Sequence, residues 1–147
     1  MGADASDTGI QTWQPFGESA PLLDVAVRIG DLSIDGHLDT GNPGVLSVPA
    51  EYENSLPLSG PVETVGRART ADAEFEIRGA PINVSAKVGD AEIPLRQILF
   101  SELPVANLGT AGCRGLVLHI DWENERFGLS GTGEPSARPR RVVRKEP

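Results

Sequence analysis

Leu38-Asp39-Thr40-Gly41-Asn42-Pro43-Gly44 lies between two apolar strand patterns, and its reading decides the fold. Upstream, Leu23, Val25, Val27 and Ile29 alternate with Asp24, Ala26 and Arg28, the period-two pattern of a half-buried strand. Gly30-Asp31 marks a turn, and Leu32, Ile34 and Gly36-His37-Leu38 form the return strand that runs into Asp39. Gly41, Pro43 and Gly44 then break the pattern, which puts Asp39-Thr40-Gly41 on a tight loop. Val45-Leu46-Ser47-Val48 resumes as a strand, and Pro49 suits the first turn of a short helix within residues 50–56. A carboxylate pinned in a glycine-bearing loop at a strand end is a candidate catalytic acid. The same triplet also reads as a polar turn, because Asp and Gly are ordinary turn formers.

Downstream the chain stays rich in strands. Residues 64–82 read as two polar strands around Ala71-Asp72-Ala73, a long hairpin expected to project from the body. Ile82, Val84, Ala86 and Val88 alternate, Gly89-Asp90 turns, and Ile93, Leu95, Ile98 and Leu99 continue the sheet. Asn107-Leu108-Gly109 ends a short apolar strand, and residues 110–114 fit one helical turn, weakened by Gly112. A last hairpin spans residues 115–129, turning about Glu123-Asn124-Glu125. Strand, turn and glycine loop thus occur twice, ending at Gly41 and at Gly109.

Size and composition bound the rest. A chain of 147 residues suits one compact domain. Its 17 glycines and 12 prolines, about a fifth of the chain, favour short strands joined by turns. The formal charge of −8 argues against nucleic acid as a partner, since phosphate binding needs clustered Lys and Arg. The excess of acid lies before Gly131; beyond it, Arg138, Arg140, Arg141, Arg144 and Lys145 outnumber Glu134 and Glu146. The expected organisation is a flexible arm over residues 1–20, a folded domain over 21–130 and a disordered basic tail over 131–147. Trp13 and Phe16 are candidate anchors for the arm.

Cys113 is the only cysteine, so no intrachain disulfide can form. With no signal-peptide pattern and no apolar run of about 20 residues, a cytoplasmic protein without membrane contact is expected. His37, His119 and Cys113 have no zinc-like spacing, so no metal site is expected. His37 lies two residues before Asp39 and on a strand shares its face. A surface or interface histidine is its ordinary role. His119 reads as a hydrogen-bonded sheet histidine, and Cys113 as a small apolar filler.

The early Asp39-Thr40-Gly41 loop and the late Asn107-Leu108-Gly109 strand, at this chain length, resemble the single-domain retropepsin-like aspartic proteases. The bacterial aspartyl-protease domains related to the retroviral enzymes are the nearest in pattern. The resemblance covers roughly residues 21–130. Asp39, Thr40 and Gly41 match the family's loop after its first hairpin, and residues 66–80 correspond to its flap. Leu108-Gly109 matches its apolar-glycine strand, and residues 114–121 the region after its short helix. An Asp-Thr-Gly triplet occurs by chance in roughly a few per cent of chains this long. The weight of the resemblance therefore rests on the whole order of elements.

The resemblance implies an all-β, closed barrel of about eight to ten short strands with one or two short helices. It implies an aspartic endopeptidase, a hydrolase acting on peptide or protein substrates without a cofactor. Two carboxylates about 3 Å apart cannot both ionise, so one serves as acid and the other as base. A chain with one such aspartate supplies the pair only as a homodimer, with Asp39 of each subunit at a two-fold axis. Thr40 would then lock the two loops, Gly41 would permit their close approach, and Asn42, Leu108 and Gly109 would support them. A flap tipped by Ala71, Asp72 and Ala73 would cover an extended peptide. Substrate pockets are expected near Val45, the flap and residues 95–99.

The sequence departs from the family pattern at three places. Asn42 stands where Ala or Ser is commoner, Thr110-Ala111-Gly112-Cys113 replaces a more apolar helix, and the flap tip is acidic without a glycine pair. Asn42 and the flap tip motivate the alternative expectation of a catalytically weak or inactive module that binds peptides or dimerises.

Overall fold

The computed structural model describes residues 9–17, 23–69 and 71–134. The ends expected to be flexible, residues 1–20 and 131–147, lie for the most part outside the described residues. Ten strands are described: β1 (Gln14–Pro15), β2 (Leu23–Ile29), β3 (Leu32–Leu38), β4 (Leu46–Pro49), β5 (Glu63–Arg69), β6 (Glu74–Val88), β7 (Ala91–Ser101), β8 (Ala106–Leu108), β9 (Val117–Asp121) and β10 (Arg126–Ser130). Two 3₁₀ turns, Ala50–Tyr52 and Thr110–Cys113, stand where the sequence suggested short helices. The protein is all-β.

Six strands in the order β2-β3-β8-β4-β7-β6 form a closed barrel, because β6 returns to β2 where Lys87 meets Arg28. β5 extends this sheet outward from β6, and β1-β10-β9 make a second, three-stranded sheet. The β2–β3 hairpin turns at Gly30, whose φ of +60° is costly for any residue with a Cβ. Its alternation sends Val25, Val27, Ile29, Ile34 and Leu38 into the core. Each such side chain removed from water contributes roughly 1.5–3 kcal/mol.

Two strands read separately from the sequence, one ending and one starting at Ile82, are the single strand β6. Its ladder to β7 slips between Pro81 and Val84. Pro81 has no N–H to donate, and a bulge accommodates the loss without ending the strand. β6 thereby links the β5–β6 hairpin directly to the barrel wall. The expected pocket segment at 95–99 is also corrected in part. Leu95 and Ile98 are buried in the core, whereas Leu99 is half-buried on the other side of β7.

β3 and β8 run parallel, with Gly36 opposite Ala106, His37 opposite Asn107 and Leu38 opposite Leu108. A Cβ on Gly36 would lie 2.8 Å from the Ala106 carbonyl oxygen, so glycine is what lets the two strands meet. Because the strands end level, Asp39 and Gly109 emerge side by side.

Residues 10–16 are held against the small sheet. Gln14 and Pro15 pair with Phe127 and Arg126, and the Arg126 guanidinium stacks 4.4 Å from the Trp13 ring centre. Phe16 meets Trp122 edge-on. The backbone N–H groups of Gln11 and Thr12 both donate to Asp90. Desolvation opposes the charge on Asp90, but these amides outweigh it and hold its carboxyl below the usual carboxylate range.

Candidate functional site

The Asp39 loop is fixed by the strand ends beneath it. The Asp39 N–H donates to the Leu108 carbonyl at 2.9 Å, which continues the β3–β8 ladder into the loop. Asn42 N–H closes the turn onto the Asp39 carbonyl at 3.1 Å. On the facing side, Gly109 N–H donates to Val45, Thr110 N–H to Asn42 and Ala111 N–H to Gly44. A Cβ on Gly109 would sit 2.3 Å from the Gly44 carbonyl oxygen and 2.6 Å from that of Asn42. No other residue fits there without displacing the Asp39 loop.

The Asp39 carboxylate is bound at both oxygens. Oδ1 accepts from the Gly41 N–H at 2.9 Å, and Oδ2 accepts from the Asn107 side-chain amide at 3.0 Å. The Asn107 carbonyl accepts from Asn42 Nδ2 at 2.6 Å, and Asn42 Oδ1 accepts from the Gly44 N–H at 2.9 Å. Asn42, an unusual residue after such a triplet, is thus part of a hydrogen-bond chain that ends on the carboxylate. Asn107 was quoted in the strand motif but given no role by sequence reasoning. Its signal was available: Ala106 and Leu108 are buried, so strand alternation turns the polar residue between them away from the core.

Thr40 is exposed beside the carboxylate and lines an apolar cleft of about 140 Å³ with Leu38, Thr110, Cys113, Leu116, Leu118 and Leu129. The Cys113 thiol is pushed above its ordinary pKa by burial, which suits a packing residue rather than a nucleophile. From Leu118 the apolar surface continues along β9. Val117, Leu118, Ile120 and Trp122 are each more than 40% exposed. Among the described residues β9 pairs only with β10, which leaves its other edge open. An apolar, unpaired edge strand beside the Asp39 loop is a surface suited to covering by another chain.

Ala71, Asp72 and Ala73 are exposed at the end of the β5–β6 hairpin. The hairpin carries cross-strand ion pairs, Arg67 with Glu74 at 3.2 Å and Arg69 with Glu74 at 3.1 Å. Arg69 and then Arg67 hold the Glu74 carboxyl below its ordinary pKa. At its base, a Cβ on Gly79 would meet Leu99 at 2.9 Å, which seats the hairpin closely on β7.

Among the described hydrogen bonds neither histidine joins the carboxylate chain. His37 Nδ1 lies 3.0 Å from Asp24 Oδ1 on β2, and His119 bonds Ser130 across the β9–β10 pair at 2.9 Å. Among the described residues no three His, Cys, Asp or Glu side chains converge as metal ligands would. No helix there is long and apolar enough to cross a membrane. Comparison with models of known families and with curated proteins returned no match.

Proposed function

We propose that this protein is a retropepsin-like aspartic endopeptidase that works as a homodimer, with Asp39 of each subunit forming one acid–base pair. The observation that carries the reading is the Asp39 carboxylate itself. It projects from the paired ends of β3 and β8, is held at both oxygens, and stands next to exposed Thr40 and an uncovered apolar surface. One such carboxylate per chain needs a second to divide the roles of acid and base. The exposed β9 row and the Thr40 cleft supply an apolar face, continuous with the site, that a second copy would cover.

In this reading one Asp39 takes a proton from water, and the oxygen attacks the peptide carbonyl while the other Asp39 protonates the carbonyl oxygen. On collapse of the tetrahedral diol the C–N bond breaks and the protonated Asp39 gives its proton to the leaving nitrogen. One hydroxyl of the diol returns a proton to the ionised Asp39 as the new carboxyl forms, so the pair regains its single proton. The β5–β6 hairpin would act as the flap, and its main chain would bond an extended peptide as an added strand. No cofactor is required for this chemistry.

The test is cleavage of a denatured protein mixture between about pH 3 and 7, comparing wild type with Asp39→Asn. Cleavage that disappears in the variant is expected, and cleavage that survives it contradicts the mechanism. A dimer that captures peptides without cleaving them under any condition would identify a binding module instead.

A further inference from the structure

We infer that Asn107 is a positioning residue for Asp39, and that Asn42 acts on the carboxylate through it; this rests on the reading of Asp39 as a catalytic acid. The polarity of the chain is settled at its far end. The Gly44 N–H can only donate, so the Asn42 atom that meets it must be the carbonyl oxygen. The other end of the Asn42 amide is then NH₂, and the Asn107 atom it meets must be an oxygen. That leaves the Asn107 NH₂ facing Asp39 Oδ2. Each amide has one allowed orientation, fixed in series from a backbone N–H.

The consequence for Asp39 is geometric. Gly41 N–H holds Oδ1 from within the loop, while Asn107 holds Oδ2 from β8, 68 residues away in sequence. Two donors on different segments fix the plane of the carboxylate, as one donor could not. Neither donor can accept a proton, so the proton of a two-carboxylate site is left to the pair and the water between them. A small misplacement of a reacting group can cost on the order of 100-fold in rate, which is the scale on which such a donor acts.

His37 is the nearest alternative by register, lying opposite Asn107 on β3. Its ring bonds Asp24 through Nδ1, and the side-chain donor to Asp39 among the described contacts is the β8 amide.

The test measures kcat and KM separately for wild type, Asp39→Asn, Asn107→Leu, Asn107→Asp and Asn42→Ala, with the thermal midpoint and oligomeric state of each. Asn107→Leu keeps the size but removes the donor. It should lower kcat by about 10- to 100-fold with KM within about twofold. Asn107→Asp is nearly isosteric and presents an acceptor to Asp39, so its loss should be at least as large. Asn42→Ala should cost less than Asn107→Leu and add little to it in the double variant, as residues in one chain do. A folded, dimeric Asn107→Leu or Asn107→Asp with kcat within about twofold of wild type overturns the proposal. If wild type shows no Asp39-dependent cleavage, the endopeptidase reading fails by itself. The positioning contact is then judged by the Asn107 side-chain amide resonances. Their movement in Asp39→Ala supports it, and unchanged resonances overturn it.

Discussion

Leu38-Asp39-Thr40 after β3 and Leu108-Gly109-Thr110 after β8 are two versions of one local plan, ending side by side on parallel strands. Both begin with a buried leucine and both leave a threonine exposed. They differ at the middle position. The first carries the carboxylate, and the second carries the absence of a side chain that lets the Asp39 loop sit down on it. A Cβ at 109 would collide with the backbone of residues 42 and 44, whereas Asp39 itself is only half-buried. In the proposed reading, one half of the plan supplies the chemistry and the other supplies the space for it.

The largest expected effect breaks the chemical half alone. Asp39→Asn should retain the fold and lower peptide cleavage by about 10³-fold or more, read as kcat/KM on a denatured substrate. Gly109→Ala breaks the other half. It should destabilise the protein by about 1–3 kcal/mol, read by denaturant unfolding, and remove cleavage with it because the Asp39 loop must shift. If Gly109→Ala were as stable and active as wild type, the division of roles between the two loops would be lost.

Leu118→Glu sharpens the comparison from outside. Leu118 lines the cleft beside Thr40 and continues the exposed β9 row. The charge should shift sedimentation from dimer to monomer at micromolar concentration, with activity falling in parallel and monomer stability little changed.

Acid provides a weaker perturbation far from both loops. The native Asp90 carboxyl lies below its ordinary value. Its contribution is therefore complete above about pH 4 and is lost as pH falls through the lower native value. Hydrogen exchange at Gln11 and Thr12 should accelerate, relative to its intrinsic pH dependence, over that window, and Asp90→Asn should remove the acceleration. The smallest effect belongs to Arg69→Ala, whose exposed ion pair with Glu74 should leave the thermal midpoint unchanged within error.

Local patterns made much of this legible. Period-two alternation located β2 and β3, and turn residues located Gly30, Gly89 and the Asp39 loop. What the sequence hid was non-local. A single bridge between Arg28 and Lys87 closes the barrel, and no periodicity encodes which strands meet. The change from a polar to an apolar pattern at Ile82 read as a strand boundary, but the bulge after Pro81 keeps β6 whole. Asn107 was passed over because its role depends on the parallel register of β3 and β8. Only that pairing brings an amide from residue 107 to a carboxylate at residue 39. Asn42 read as a departure from a familiar loop, yet its amide is what orients Asn107.

The central claim is that one site requires two chains. Wild type and Asp39→Asn, unfolded together and refolded at fixed total concentration, measure it most directly. If each site needs an Asp39 from both subunits, activity falls as the square of the wild-type fraction, to about one quarter in an equal mixture. Activity that falls in simple proportion, to about one half, would show that a single Asp39 suffices and would contradict the account.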